Sequence, residues 1–216
     1  MVISPELHVE PVSILVASAT FLAAEVARKP ADAFATKLWD TVKAALRKVL
    51  DREPTPADVS AATIRKAAEE VPAVAGALQA ARSGSSGLRR AELVGNVLRG
   101  ARVLWVDEHP GNNAWERELL RSLGVVIVSV ESTRSAVASL RAESFDVMIS
   151  DIRRDSEPVD GIDGAMQIRD AMPTLPIVFY IQDVTSRLIP EPASGLTNEP
   201  NELLHLVLDR LERTRI

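Results

Sequence analysis

Acidic residues follow two apolar runs of the sequence at the point where each run ends. Asp107 and Glu108 come directly after the run RVLWV (102–106), and Asp151 follows VMIS (147–150). A short apolar run bounded by turn residues is typical of a strand buried on both faces of a parallel sheet. The carboxyl ends of such strands form the edge where open α/β sheets bind ligands. We therefore expect Asp107, Glu108 and Asp151 to converge at one edge.

Three converging carboxylates define the chemistry that this edge could perform. Like charges raise one another's pKa, so the three groups do not all stay ionised without a compensating charge. A hard divalent cation with oxygen ligands, Mg²⁺ above all, supplies that charge. The alternative is that these acidic residues only end strands and open loops, as in many α/β proteins, and this pattern leaves both interpretations open.

Composition limits the classes of function. The chain has 216 residues, 46% of them hydrophobic and 25% charged, which suits one large or two small folded domains. It has no cysteine, which excludes disulfides and thiol chemistry and fits a reducing compartment, so we expect a cytoplasmic protein. Residues 91–216 hold 13 Lys or Arg against 20 Asp or Glu, and this acidic balance argues against nucleic-acid binding.

The N-terminal part of the sequence predicts a small all-α domain, which we place at residues 1–82. A helix is expected from Pro11 to about Lys29 and a second from Ala31-Asp32 to about Leu50. The first is apolar around most of its circumference, which favours a helix covered on several sides. It is shorter than the ~20 residues of a membrane span, so a membrane partner is not expected.

Residues 83–100 are predicted to be a linker and connecting helix, because Ser83-Gly-Ser-Ser-Gly87 has the composition of a flexible segment. From Ala101 the pattern changes to strands that alternate with helices. This alternation predicts a doubly wound parallel α/β sheet over residues 101–216. Asn113 and Glu116 have the residue types of a capping box that opens its first helix.

Residues 101–213 resemble the receiver domain of bacterial two-component response regulators. The resemblance is carried by VLWVDEHP (103–110), VMISDIRR (147–154), Asp160-Gly161, LPIVFYI (175–181) and TNEP (197–200). It implies a flavodoxin-like strand order, Mg²⁺ bound by Asp107, Glu108 and Asp151, and a phosphoryl group accepted by Asp151 from a partner histidine kinase. A carboxylate can form such an acyl phosphate, and a metal ion neutralises the charge that develops during transfer.

Two positions depart from the family pattern. Ile181 stands where the family has Ser or Thr, and Glu199 stands where it has the Lys that precedes a proline. A glutamate there would repel a phosphoryl group. Arg153 and Arg154 lie in the loop after Asp151 and are candidate anion contacts, although a solvated loop explains them equally simply.

These departures favour a signalling protein without catalysis, a pseudo-receiver that acts through protein–protein interaction. The expected partner is a histidine kinase or an effector, with self-association through the N-terminal helices as a further candidate. A phospho-accepting response regulator in a phosphorelay, with a helical output module, is the first alternative. A metal-dependent hydrolase is the second, and the sequence offers it no general base.

Overall fold

The computed structural model describes residues 11–152, 161–182 and 193–215. Its N-terminal part is helical, as the sequence predicts. The helices are α1 (Pro11–Arg28), α2 (Ala33–Leu50), α3 (Ala61–Glu70), α4 (Ala73–Gly84) and α5 (Ser86–Leu93). Asp32, Ser60 and Ser85 accept hydrogen bonds from backbone N–H groups in the first turns of α2, α3 and α5, so side-chain caps fix where these helices begin.

Helix α1 contributes to two hydrophobic cores at once. Val16, Ala19 and Leu22 pack with α2, α3 and α4, whereas Ala17 and Phe21 pack with the α/β part. Its most extensive contact is with α6 (Ala114–Ser122). This double burial is the reason that α1 is apolar on most sides.

The predicted linker at residues 83–87 is wrong. Ser83 and Gly84 end α4, Ser85 caps α5, and Leu88 is fully buried against the α/β part. Gly87 touches the C-terminal helix so closely that a Cβ atom would lie 2.9 Å from the carbonyl oxygen of Asn201. Small residues are present here because two helices meet closely, and not because the chain is flexible.

The C-terminal part alternates strands and helices around a parallel sheet. Its elements, in chain order, are β1 (Arg102–Val106), α6, β2 (Val126–Val130), α7 (Thr133–Ala142), β3 (Val147–Ser150), α8 (Gly161–Ala171), β4 (Ile177–Tyr180), β5 (Gly195–Thr197) and α9 (Pro200–Arg215). The described strands pair in the order β2-β1-β3-β4-β5. The doubly wound parallel sheet and its flavodoxin-like order are therefore confirmed. Strand β5 was not among the strands predicted individually, because three residues give almost no periodicity.

The sheet is covered on both faces. Helices α7 and α8 cover one face, and α6 and α9 cover the other, where α1 and α5 extend the same hydrophobic core. Strands β1, β3 and β4 are fully buried along nearly their whole length. Of the helices in the described ranges, none combines the length and the apolar character needed to cross a membrane.

An acidic cavity at the carboxyl edge of the sheet

A cavity of about 300 Å³ lies at the carboxyl edge of the sheet. Residues from the end of α1 and from the segments that follow β1, β3, β4 and β5 surround it. The lining residues are Ala27, Arg28, Asp107, Asn112, Asn113, Asp151, Tyr180, Gln182 and Asn198. The cavity therefore joins two acidic residues predicted from the sequence to an arginine of the N-terminal helices.

Asp107 is 3% exposed, and both of its carboxylate oxygens are occupied within the protein. Oδ1 accepts from the backbone N–H of His109 at 2.8 Å, and Oδ2 accepts from the side-chain amide of Asn113. Arg117 is also buried nearby; burial lowers the pKa of its guanidinium, and the charge of Asp107 opposes this effect. Asp107 is thus held in place by hydrogen bonds to His109 and Asn113.

Asp151 follows β3 and lines the same cavity, half-buried. Its backbone N–H donates to the carbonyl of Val106 at 3.2 Å, and its Oδ1 accepts from the N–H of Ile152 at 2.6 Å. The parallel pairing of β1 with β3 therefore brings Asp107 and Asp151 to one edge, as the sequence predicts.

Glu108 is not part of the cavity lining. Its side chain is 10% exposed, and its Oε1 lies 3.7 Å from Nδ1 of His109. Among the residues that the structure describes, no group of three or more acidic or histidine side chains is arranged to hold a metal ion. The predicted Mg²⁺ ligand set of Asp107, Glu108 and Asp151 thus stays a prediction, and two of its three members share the cavity.

Among the described residues that line the cavity, Arg28 is the cation, and buried groups of the α/β part bind it. Its Nε donates to Glu116 Oε1 at 3.0 Å, and its Nη2 donates to Asn113 Oδ1. The guanidinium carbon lies 4.4 Å from the centre of the Tyr180 ring. Burial lowers the pKa of Arg28, but Tyr180 and Glu116 more than offset this, so that the pKa is raised and the charge is retained.

Glu116 is 1% exposed and links Arg28 to the sheet. Its Oε1 also accepts from the hydroxyl of Tyr180 at 2.9 Å, while its Oε2 has no hydrogen-bond partner among the residues that the structure describes. Burial, with the Glu116 carboxylate, raises the pKa of Tyr180 far above its ordinary value, so the hydroxyl stays protonated and donates. The capping-box interpretation is therefore wrong, because the side chain of Asn113 caps no helix and Glu116 binds Arg28.

The two positions that depart from the family pattern flank the cavity. Ile181 is 5% exposed and packs in the core beneath α7 and α8, so no hydroxyl is available there. Glu199 forms an ion pair with Lys29, the residue after Arg28. The end of α1 thus brings one cation to the cavity and a second to the glutamate beside it.

The sequence did not identify Arg28, Asn113, Glu116 and Tyr180 as site residues. Glu116 lies three and four positions before the buried Leu119 and Leu120, and this spacing is the one available signal that it faces inward. Arg28 carries no such signal, because its partners are far away in sequence. Arg153, Arg154 and Asp160 lie outside the described residues.

Known proteins resemble the C-terminal part of the chain. The response regulator receiver domain family matches residues 103–189. The response regulator TrrA of Thermotoga maritima, solved with Mg²⁺ and BeF, is 23% identical with a TM-score of 0.46 over 51% of this chain and 98% of its own. A chemotaxis response regulator of Vibrio cholerae is 23% identical with a TM-score of 0.43, over 52% and 98%.

A third solved structure is the receiver domain of a sensor histidine kinase from Pseudomonas aeruginosa, with a magnesium ion in its active-site cleft. It is 20% identical with a TM-score of 0.47, over 52% of this chain and 98% of that domain. No curated protein matches the chain. The matched segment begins after helices α1 to α5.

Proposed function

We propose that the chain is a signalling protein whose residues 103–189, which match the response regulator receiver domain family, act by binding a protein partner without phosphorylation of Asp151. The residues beside the cavity carry this proposal. A receiver of the usual pattern needs a hydroxyl and a lysine to respond to a phosphoryl group, and the two positions hold Ile181 and Glu199. Ile181 is buried in the core, and Glu199 is paired with Lys29.

The charge at Glu199 explains why Lys29 does not replace the missing lysine. A free lysine adds one positive charge next to an incoming phosphoryl group. The pair of Lys29 with Glu199 adds none, because the two charges cancel at the distance of the cavity. The attraction that would stabilise a phosphoryl group on Asp151 is therefore weak at this position.

Phospho-acceptance is the second candidate function, and one observation favours it. Arg28 lines the same cavity as Asp151, so a cation stands near the acceptor even though the family lysine is missing. A histidine kinase would then be the donor partner and the N-terminal helices the output module. The first proposal requires only a binding partner, such as an effector protein. The metal-dependent hydrolase ranks last, since the described residues give it no three-carboxylate metal site.

Mass spectrometry of the intact protein separates the two candidates. The full chain is incubated with acetyl phosphate and Mg²⁺ and weighed, beside the variant Asp151→Asn and a receiver domain of the usual pattern as a positive control. We expect no added phosphoryl group on the wild type or on Asp151→Asn. One added phosphoryl group on the wild type that is lost in Asp151→Asn would refute the proposal and establish the second candidate.

A further inference from the structure

We propose that Arg28, supplied by the N-terminal helix α1, is the resident cation of the acidic cavity and stands in place of a divalent metal ion. The inference goes beyond the proposed function, because it concerns which group of the chain occupies the cavity and not whether Asp151 is modified. It assigns the end of α1 as an intramolecular ligand of the receiver domain.

The acidic residues of the cavity do not fit a divalent cation as they are arranged. Mg²⁺ demands near-octahedral oxygen coordination, usually through carboxylates that have free lone pairs facing the ion. Each oxygen of Asp107 already accepts one hydrogen bond, with which a metal ion would compete, and Glu108 is not among the described residues that line the cavity. Two carboxylates therefore meet the cavity where the family pattern supplies three.

Arg28 suits the acidic cavity because it is positively charged and because buried side chains fix its position. It lines the cavity together with Asp107 and Asp151. Asn113 bridges it to Asp107, since the amide oxygen accepts from Arg28 while the amide nitrogen donates to Asp107. The side chain of Arg28 is 14% exposed, so Glu116 and Tyr180 hold it with little competition from water.

A fixed guanidinium in this position opposes metal binding. Replacing the guanidinium by a neutral group while Glu116 keeps its negative charge makes the surroundings of the cavity more negative by one unit, and a change of one charge a few ångströms away alters the affinity for a divalent cation about tenfold, even at the dielectric constant of water. The docking of α1 and the binding of a divalent cation are therefore competing events. By linkage, a bound divalent cation weakens the docking of α1 by the same factor by which docked α1 weakens the binding of the cation.

Calorimetric titration of the full chain with Mg²⁺ tests the inference. We expect Arg28→Gln to bind Mg²⁺ about tenfold more tightly than the wild type, because the repelling charge is removed. Arg28→Lys retains the charge and should bind as weakly as the wild type. Arg65→Gln, at an exposed position of α3, is the matched control for loss of one positive charge and should change nothing.

Three results would overturn the inference. They are equal Mg²⁺ affinity in wild type and Arg28→Gln, tighter binding in Arg28→Lys, and an equal gain in Arg65→Gln. Circular dichroism checks that each variant folds. If Arg28→Gln alone does not fold, the double variant Arg28→Gln/Glu116→Gln is compared with Glu116→Gln, because these two proteins differ only in the guanidinium. A phosphoryl group on Asp151 would refute the proposed function and leave this comparison unaffected.

Discussion

The Arg28–Glu116 ion pair should be a main source of the stability that joins α1 to the α/β part of the chain. Arg28→Met keeps most of the length and apolar surface of the side chain but removes its charge. It leaves Glu116, which is 1% exposed and has one oxygen without a hydrogen-bond partner in the described part of the chain, as a buried carboxylate that has lost its ion-pair partner Arg28. Removing one partner of a buried ion pair costs about 3–5 kcal/mol.

The structure places the expected cost near the lower end of that range. The side chain of Arg28 is 14% exposed, so water screens part of the interaction, and the hydroxyl of Tyr180 still donates to Glu116. Loss of the guanidinium from the face of the Tyr180 ring adds about 0.5–1 kcal/mol. We therefore expect Arg28→Met to lower the free energy of unfolding by roughly 3 kcal/mol.

A double-mutant cycle isolates the pair. Glu116→Gln should cost roughly 2 kcal/mol, and the double variant should cost less than the sum of the two by about 2 kcal/mol, because it buries no lone charge. Urea denaturation followed by tryptophan fluorescence measures all four proteins, since the Trp105 ring lies 5.9 Å from the Tyr180 ring. Arg65→Met serves as the exposed control. A loss below ~1 kcal/mol for Arg28→Met, or additive single effects, would refute the reasoning.

Three further outcomes follow from the structure. Gly87→Ala should lower the free energy of unfolding by roughly 1–3 kcal/mol, because the added Cβ would meet the carbonyl oxygen of Asn201 at 2.9 Å. Gly76→Ala should raise it by roughly 0.5–1 kcal/mol, because the added Cβ would have no atom of the described residues in its surroundings within 4 Å. Thermal denaturation measures both variants. Burial of Glu25, with Glu199 nearby, raises the pKa of Glu25 above the ordinary 4.5, so the folded state binds more protons than the unfolded chain in this pH range. The free energy of unfolding should therefore fall as the pH rises from 4.5 through the raised pKa. Urea denaturation at a series of pH values measures this fall, which Glu25→Gln should abolish. Limited trypsin digestion should not cut preferentially at Arg82, Arg89 or Arg90, because these residues lie in helices α4 and α5. Early cleavage at these positions would support the flexible linker instead.

The strands and most helices could be predicted because their signals are local. The apolar runs before Asp107 and Asp151 end where β1 and β3 end, and the parallel register brings their carboxyl ends together. The start of α2 at Asp32 follows from the residue itself, since its side chain bonds the first free N–H groups. These features depend on neighbours a few positions away.

The errors share a different physical cause. Serine and glycine at residues 83–87 have the same composition whether they form a flexible linker or a close helix contact, and only the position of Asn201 on α9 distinguishes the two. Asn113 and Glu116 have the types of a capping box, but Arg28, far away in sequence, binds both side chains. A distant cation changed the role of both residues.

The amino-acid sequence by itself determined the alternation of strands and helices, the parallel sheet and the two acidic strand ends, because hydrophobic periodicity and turn residues act over short distances. The identity of the groups around those acidic residues was decided by tertiary structure alone. Helix α1 is apolar on two sides, so it packs against both the other helices and the α/β part, and this packing places Arg28 and Lys29 at the edge of the sheet. Which charges meet in the cavity depends on that long-range packing.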